Sequence, residues 1–124
     1  MAWSSYKDLI VWQKSMALTG DIYKITEKLP KSETYGLTDQ LRRAAVSVPS
    51  NIAEGHGRKT SKDFLHFLSI ANGSCMEMET QLLICVQLKM LSNEDIKDLL
   101  TDINEISRML CSVPLVKYNF DFSV

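Results

Sequence analysis

Phe64, Leu68, Ala71, Cys75, Met78, Leu82 and Cys85 recur at alternating intervals of four and three residues, and no other segment is so restricted in what it can become. That spacing draws one apolar stripe along an α-helix and does not fit the period-two surface of a strand. A helix over 60–90 is about 45 Å long at 1.5 Å per residue, so the chain must supply other long elements to cover it. Apolar residues also fall off the stripe, at Leu65, Phe67, Ile70, Leu83, Ile84, Val86 and Leu88. A helix apolar on several sides is buried on several sides. In a chain of 124 residues the excess points to contact with another subunit, with an exceptionally well-wrapped monomer as the alternative.

Three further helices are predicted around it. The first is read over 6–29: Ser5 and Asp8 form a box-like start, one apolar line runs through Leu9, Trp12, Met16 and Tyr23, a second through Leu18, Ile22, Ile25 and Leu29, and Pro30 ends it. The fourth is read over 93–112, started by Ser92 and Asp95, with Ile96, Leu99, Ile103, Ile106 and Leu110 as its seam and Pro114 closing helical structure. The tail 113–124 alternates apolar and polar residues in part, a pattern open between packing on the bundle, pairing with a partner and remaining loose. Short connections between long helices favour antiparallel neighbours, so the fold class is all-α, an up-down-up-down four-helix bundle in a single domain over 1–124.

The second helix, read over 34–56, contains a proline. Leu37, Leu41, Ala44, Val48, Ile52 and Gly55 keep helical phase straight across Pro49, although an interior proline removes one donor and crowds the carbonyl of residue i−4, at about 3 kcal/mol or more. The preserved phase favours a continuous helix bent between Ala45 and Pro49 over a break at Val48, with Ser47, Ser50 and Asn51 available to the freed backbone groups. Arg42, Arg43, Pro49, Ser50, Asn51, Glu54 and Gly55 form the core of this motif. If the second and third helices run antiparallel about Gly57-Arg58-Lys59, the arginines fall opposite Gly73 to Glu77. The contact is then open between an Arg–Glu77 ion pair and an arginine facing a ligand.

Composition narrows the chemistry. A net charge of −1 with 45% hydrophobic and 23% charged residues describes a globular chain with no global attraction to polyanions. No apolar run approaches the roughly 20 residues of a membrane span, and the N-terminus lacks a signal-peptide pattern, so a cytoplasmic location is expected. Cys75 and Cys85 sit about 15 Å apart along one helix, beyond disulfide reach, and read as small core hydrophobes; Cys111 lies near a helix end. The ferritin-like metal site needs a Glu-x-x-His unit on each of two helices. Here the nearest approach is Asp63-Phe64-Leu65-His66, once, and His56 in a turn has no ligand partner. No nucleophile elbow, phosphate-binding glycine loop or thiol-nucleophile context occurs. The expectation is therefore no enzyme and no cofactor, the alternative being a small-molecule or metal-dependent enzyme within the bundle.

Alternating helices would gather Lys7, Lys14, Arg58, Lys59, Lys62, Arg108 and, further along, Lys117 at one end, against Asp8, Glu54, Asp63 and Glu105. Seven cations less four anions leave an excess of three, read either as a phosphate-facing patch for RNA or DNA or as a solvated helix end.

The run Gln40 to Gly55, with Tyr35-Gly36-Leu37 before it and Gly57-Arg58-Lys59 after it, resembles the bacterial four-helix bundle family of 23S ribosomal RNA intervening-sequence proteins. The likeness extends from about Tyr6 to Leu91 and includes Leu9-Ile10-Val11-Trp12-Gln13-Lys14, Phe67-Leu68-Ser69-Ile70-Ala71 and Gly73-Ser74. It implies antiparallel bundles that associate as ring-shaped homopentamers. The family is also similar to the accessory protein of diversity-generating retroelements, a pentamer that binds nucleic acid and a reverse transcriptase through basic surface; the net charge of −1 departs from that relative. What the resemblance implies is a non-enzymatic, self-assembling bundle acting as an adaptor or nucleic-acid-associated scaffold, with a homo-oligomer, nucleic acid or another protein as partner and no membrane.

Overall fold

The apolar stripe is the centre of the molecule. The computed structural model describes residues 5–119, with side chains to residue 112, and contains four helices among those residues: α1 Ile10–Thr26, α2 Leu37–His56, α3 Ser61–Gln87 and α4 Asn93–Asn119. All seven stripe residues of α3 are buried, and they meet Leu41, Ala44, Val48 and Ile52 of α2, Leu18 and Ile22 of α1, and Ile96, Leu99, Ile103, Ile106 and Leu110 of α4 in one core. Each helix packs against two neighbours in the cyclic order α1, α2, α3, α4, with no diagonal contact among the described residues. Side-chain pairs record the register. Thr19 meets Ala45 and Thr26 meets Arg42; Ser47 meets Ser74 and Gln40 meets Gln81; Lys14 meets Glu105 and Lys28 meets Asp95. In each pairing one number rises as the other falls, so these neighbours run in opposite directions.

The ends of the helices differ from the sequence reading in five places, one being that α1 stops at Thr26 rather than at Leu29. Residues 6–29 are not one helix: a 3-10 turn over Tyr6–Asp8 precedes α1, and Leu9 between them is extended. This geometry buries Leu9 and sets the Tyr6 ring edge-on to Trp12 at 5.3 Å; an unbroken helix would fix the two rings by helical spacing alone. Met16 and Tyr23, expected on an apolar line, are exposed, and Val11, Ser15 and Thr26 are buried instead. Leu9, Leu18, Ile22 and Leu29 are buried as read, so the core face of α1 runs along the second expected line together with Val11, Ser15 and Thr26 and excludes Met16 and Tyr23. Glu33, expected in the connection, accepts a hydrogen bond from the Leu37 N–H at 3.0 Å, so α2 begins at Leu37 rather than at 34. At the end of α3, Lys89 adopts a left-handed φ of 63° and the Met90 N–H turns back to the Cys85 carbonyl at 2.8 Å, a helix-terminating arrangement that usually uses glycine. Finally α4 continues through Pro114 to Asn119. Proline in general has a φ compatible with a helix and lacks one donor, which a helix already about six turns long can absorb. Residues 120–124 of the expected tail and the first four residues lie outside the described residues.

Helix α2 is unbroken across Pro49. Without a proline N–H, the Ala45 carbonyl lacks its usual i+4 donor. The Thr19 hydroxyl of α1 lies 3.2 Å from that oxygen and 2.8 Å from the Ser15 carbonyl, so one hydroxyl proton is shared between its own helix and the gap in the next. Asn51 serves the neighbouring turn, donating to the Ser47 carbonyl at 2.8 Å and to the Ser47 hydroxyl at 2.9 Å. At Gly55 α2 lies close against α3: a Cβ there would stand 2.7 Å from Phe67 Cβ and 3.0 Å from Phe64 Cδ1. Phe67 Cβ is tied to its backbone and has no slack, and Phe64 Cδ1 belongs to the ring of a buried side chain.

Thr19→Val keeps the shape and removes the hydroxyl, leaving a buried acceptor short of a donor, and should destabilise the protein by about 1 kcal/mol. In a Pro49→Ala background the N–H restored at that position can serve the Ala45 carbonyl, so the same substitution should then cost less. Denaturant unfolding of the four proteins checks this; equal costs in both backgrounds would show that the two residues are not coupled.

Candidate functional site

Two regions gather polar chemistry. The first is an open groove between α2 and α3, lined by Gln40, Arg43, Ala44 and Ser47 on one side and Ser74, Glu77 and Gln81 on the other, with a volume of about 250 Å³. Helical spacing of three and four residues puts each set on one face of its helix. Ser74 is buried and donates to the Ser47 hydroxyl at 2.8 Å. Gln81 is only 9% exposed; its amide N–H₂ reaches Gln40 Oε1 at 3.4 Å and its own carbonyl oxygen has no partner. Arg43 and Glu77 border the same groove without an ion pair between them.

That geometry answers the arginine question. Arg42 turns toward α1, where its guanidinium donates to Thr26 Oγ1 at 2.9 Å and the Tyr23 carbonyl at 3.3 Å and lies 4.6 Å over the Tyr23 ring. Arg43 reaches Asp39, one turn back on its own helix, at 4.0 Å. The expected Arg–Glu77 bridge is not formed, because Arg42 points to the opposite side of α2 and Arg43 remains at the rim.

The second region is the end of the bundle holding the start of α1, the α2–α3 connection and Arg108 of α4. Its cations are not equivalent. Arg58 is held by Glu54 at 2.6 Å and lies 4.8 Å over the Phe67 ring. Lys14 is held by Glu105 at 3.0 Å, within a cleft that also contains Asp21 and Asp102. Lys59 and Lys62 are exposed and make no ion pair among the described residues, and the same holds for Lys7 and Arg108. The side chain of Lys117 lies outside the described ones.

The ionisable groups with displaced equilibria are structural. Burial, then the Cys111 thiol, pushes Cys75 up to about 12, and burial followed by Glu33 raises Cys85. Both are thereby held as thiols and lack the thiolate a nucleophile needs. Asp95 is lowered to about 2, chiefly by the Ser92 N–H, then by Lys28; Ser92 and Asp95 cap each other reciprocally at 2.9 and 3.1 Å. Asp102 is raised by burial, then by Asp21, Glu105 and Asp98. His56 lies edge-on to Phe64 and His66 edge-on to Phe67. No three metal-ligating side chains converge among the described residues, and no helix among them is long and apolar enough to cross a membrane.

The sequence reading missed Thr19, Ser74 and Gln81. Their polar character on faces otherwise apolar was the available signal, since a buried polar side chain must find a partner.

The family model for 23S rRNA-intervening sequence protein matches residues 7–112. A solved structure from Bacteroides thetaiotaomicron, described as a protein with unknown function from the S23 ribosomal protein family, is similar with a TM-score of 0.76 at 24% identity, covering 85% of this chain and 98% of that one. No curated protein matches.

The two displaced carboxylates predict opposite pH behaviour. Asp102 has a raised folded value, so its ionisation opposes folding once pH rises through that value. Asp102→Asn should therefore raise the melting temperature at pH 7, with the advantage closing below the ordinary value of about 3.9. Asp95 has a lowered one, so its contribution is complete above about 3.9 and is lost as pH falls toward about 2; Asp95→Asn should lower the melting temperature at pH 7 and change it little near pH 2. Thermal melts of both variants from pH 2 to 7 check the two signs.

Proposed function

Because the chain belongs to the 23S rRNA-intervening sequence protein family, we propose that it works as a non-catalytic, self-associating helical scaffold that engages nucleic acid through one end of the assembly. The observation that carries this reading is the outer face of α3. Ile70, Met76, Leu83, Ile84 and Leu88 are between 37% and 54% exposed, although the inward stripe is completely closed. A monomer gains nothing from these side chains, whereas a second copy covering them would remove apolar surface from water. Gly73 lies among them with no atom within 4 Å of where its Cβ would be. A glycine inside an exposed helix costs roughly 0.5–1 kcal/mol relative to alanine, and it gives a neighbouring helix room for close approach.

The number of copies comes from the family resemblance, which gives a pentamer. A bend in α2 between Ala45 and Pro49, where the proline ring crowds the backbone, belongs to the same reading as the feature that sets the angle between subunits. Three free cysteines suit a cytoplasmic setting. For nucleic acid, Lys59 and Lys62 are the primary phosphate contacts, with Arg58, Lys7 and Arg108 beside them and Lys14 secondary because Glu105 already holds it. A closed ring repeats the patch in every subunit, raising apparent affinity through multivalency.

Light scattering of the purified protein at micromolar concentration should give a pentamer, and Leu83→Glu with Ile84→Glu should give a folded monomer with unchanged helical content. A monomeric parent protein contradicts self-association; a dimer or tetramer removes only the count. Replacing Arg58, Lys59 and Lys62 by glutamine should weaken RNA or single-stranded DNA binding and flatten its salt dependence by about 0.7 in log–log slope per lost contact, with oligomer size unchanged. No binding by the parent protein at low salt contradicts the nucleic-acid reading and leaves a protein-binding scaffold.

A further inference from the structure

Two helices that never touch inside the chain both leave apolar side chains uncovered. On α3 these include Ile70, Met76 and Ile84; on α1 the line first read as core stays outside, with Met16 47% and Tyr23 42% exposed beside Val46 of α2. Helices α1 and α3 are diagonal in the bundle and share no contact among the described residues. Each of the two faces also carries a glycine, Gly20 on α1 and Gly73 on α3, with no atom within 4 Å of where a Cβ would stand. An isologous contact between two α3 faces leaves the α1 face in water, whereas a heterologous contact covers both faces at once and can close into a ring.

The cross-helix pairs give the relative heights. By way of α2, Thr19 meets Ala45, which lies two residues before Ser47 and so stands level with Met76, two residues beyond Ser74. By way of α4, Lys28 meets Asp95, twelve residues before Ser107, and Ser107 meets Asn72, so Asp95 stands level with Ile84. Both routes put a residue of α1 level, to within a turn, with one numbered about 56 higher on α3. In a ring whose axis runs along the bundle every copy keeps the same height, and α1 and α3 point the same way. Met16 of one copy then stands level with Gly73 of the next, and Gly20 with Met76, so each methionine meets the gap left by a missing side chain. Lys24 comes level with Glu79 and Thr80. Lys24 is exposed, Glu79 is half-buried, and neither makes an ion pair among the described residues. We propose that the copies join heterologously, the α3 face of one on the α1 face of the next, with Met16 against Gly73, Met76 against Gly20 and Lys24 paired with Glu79. This contact rests on the self-association reading and specifies the two surfaces it uses.

The test places cysteines in a full chain carrying Cys111→Ser. Met16→Cys with Gly73→Cys should, on mild oxidation, give a ladder of covalent species on a non-reducing gel, rising to the size that light scattering gives for the parent protein. Either single variant should give none. The two thiols of one chain face outward from diagonal helices, beyond disulfide reach, so each bond joins two copies. Should the double-cysteine variant assemble poorly, charge reversal reads the same contact. Lys24→Glu and Glu79→Lys should each raise the concentration at which the assembly dissociates by about threefold or more, and the two together should restore it. A covalent dimer from either single variant, an assembled double variant without a ladder, or charge reversals that add instead of cancelling would overturn this contact and leave self-association standing. A monomeric parent protein would overturn both.

Discussion

One carbonyl oxygen, that of Ala45, ties the register of two helices together. Pro49 withholds the N–H that would serve it, and the bundle's answer is the Thr19 hydroxyl of α1 at 3.2 Å. The adjacent helix thus offers the gap left by the proline a share of one hydroxyl proton, which also serves the Ser15 carbonyl at 2.8 Å. The solution fixes α1 against α2 at one height, and it agrees with the second fixed point seven residues further along α1, where Arg42 reaches Thr26 and the Tyr23 carbonyl. On the other side of α2, Ser47 and Ser74 set α3, and Gly55 allows the close crossing against Phe64 and Phe67. Apolar burial supplies most of the driving force for such a core, but it is non-directional. Polar contacts from both faces of α2 choose among the ways the apolar stripes can slide.

What was legible in the sequence follows from this division. Periodicity reports burial, and every residue of the α3 stripe and of the α4 seam is buried. It also carried helix two through Pro49 without interruption. Periodicity is silent on single dihedrals and on directional partners. The extended Leu9 before α1 and the left-handed Lys89 after α3 have no glycine or proline to announce them. On α1, Met16 and Tyr23 looked like core because their spacing was right, yet Ser15 and Thr26 are buried in hydrogen-bonded positions. The opposed arginine and Glu77 were correctly placed across one interface. Which of two adjacent arginines faced it depended on rotation about α2, and that is set by Thr26 and Tyr23 on a different helix.

The core completes the fold and leaves the chemistry to the outside. Its cysteines are held as thiols by burial, and its buried Ser15, Thr26 and Ser74 are hydrogen-bonded, while the Gln81 carbonyl oxygen has no partner among the described residues. The exterior is uneven: exposed apolar side chains interleaved with polar ones on the outside of α3, an acidic cleft between α1 and α4, and a lysine pair beyond Gly57. The acidic cleft occupies Lys14, which leaves Lys7, Lys59, Lys62 and Arg108 as the exposed cations of that end without an ion pair among the described residues.

The Ala45 carbonyl can be observed directly. In protein labelled with ¹³C and ¹⁵N, its carbonyl carbon resonance reports hydrogen bonding at that oxygen. Thr19→Val should move the Ala45 carbonyl signal upfield, as expected for loss of a donor, while the Val46 and Ser47 carbonyl signals change far less. An Ala45 signal that stays in place when the Thr19 hydroxyl is removed would contradict the account of how this helix carries its proline.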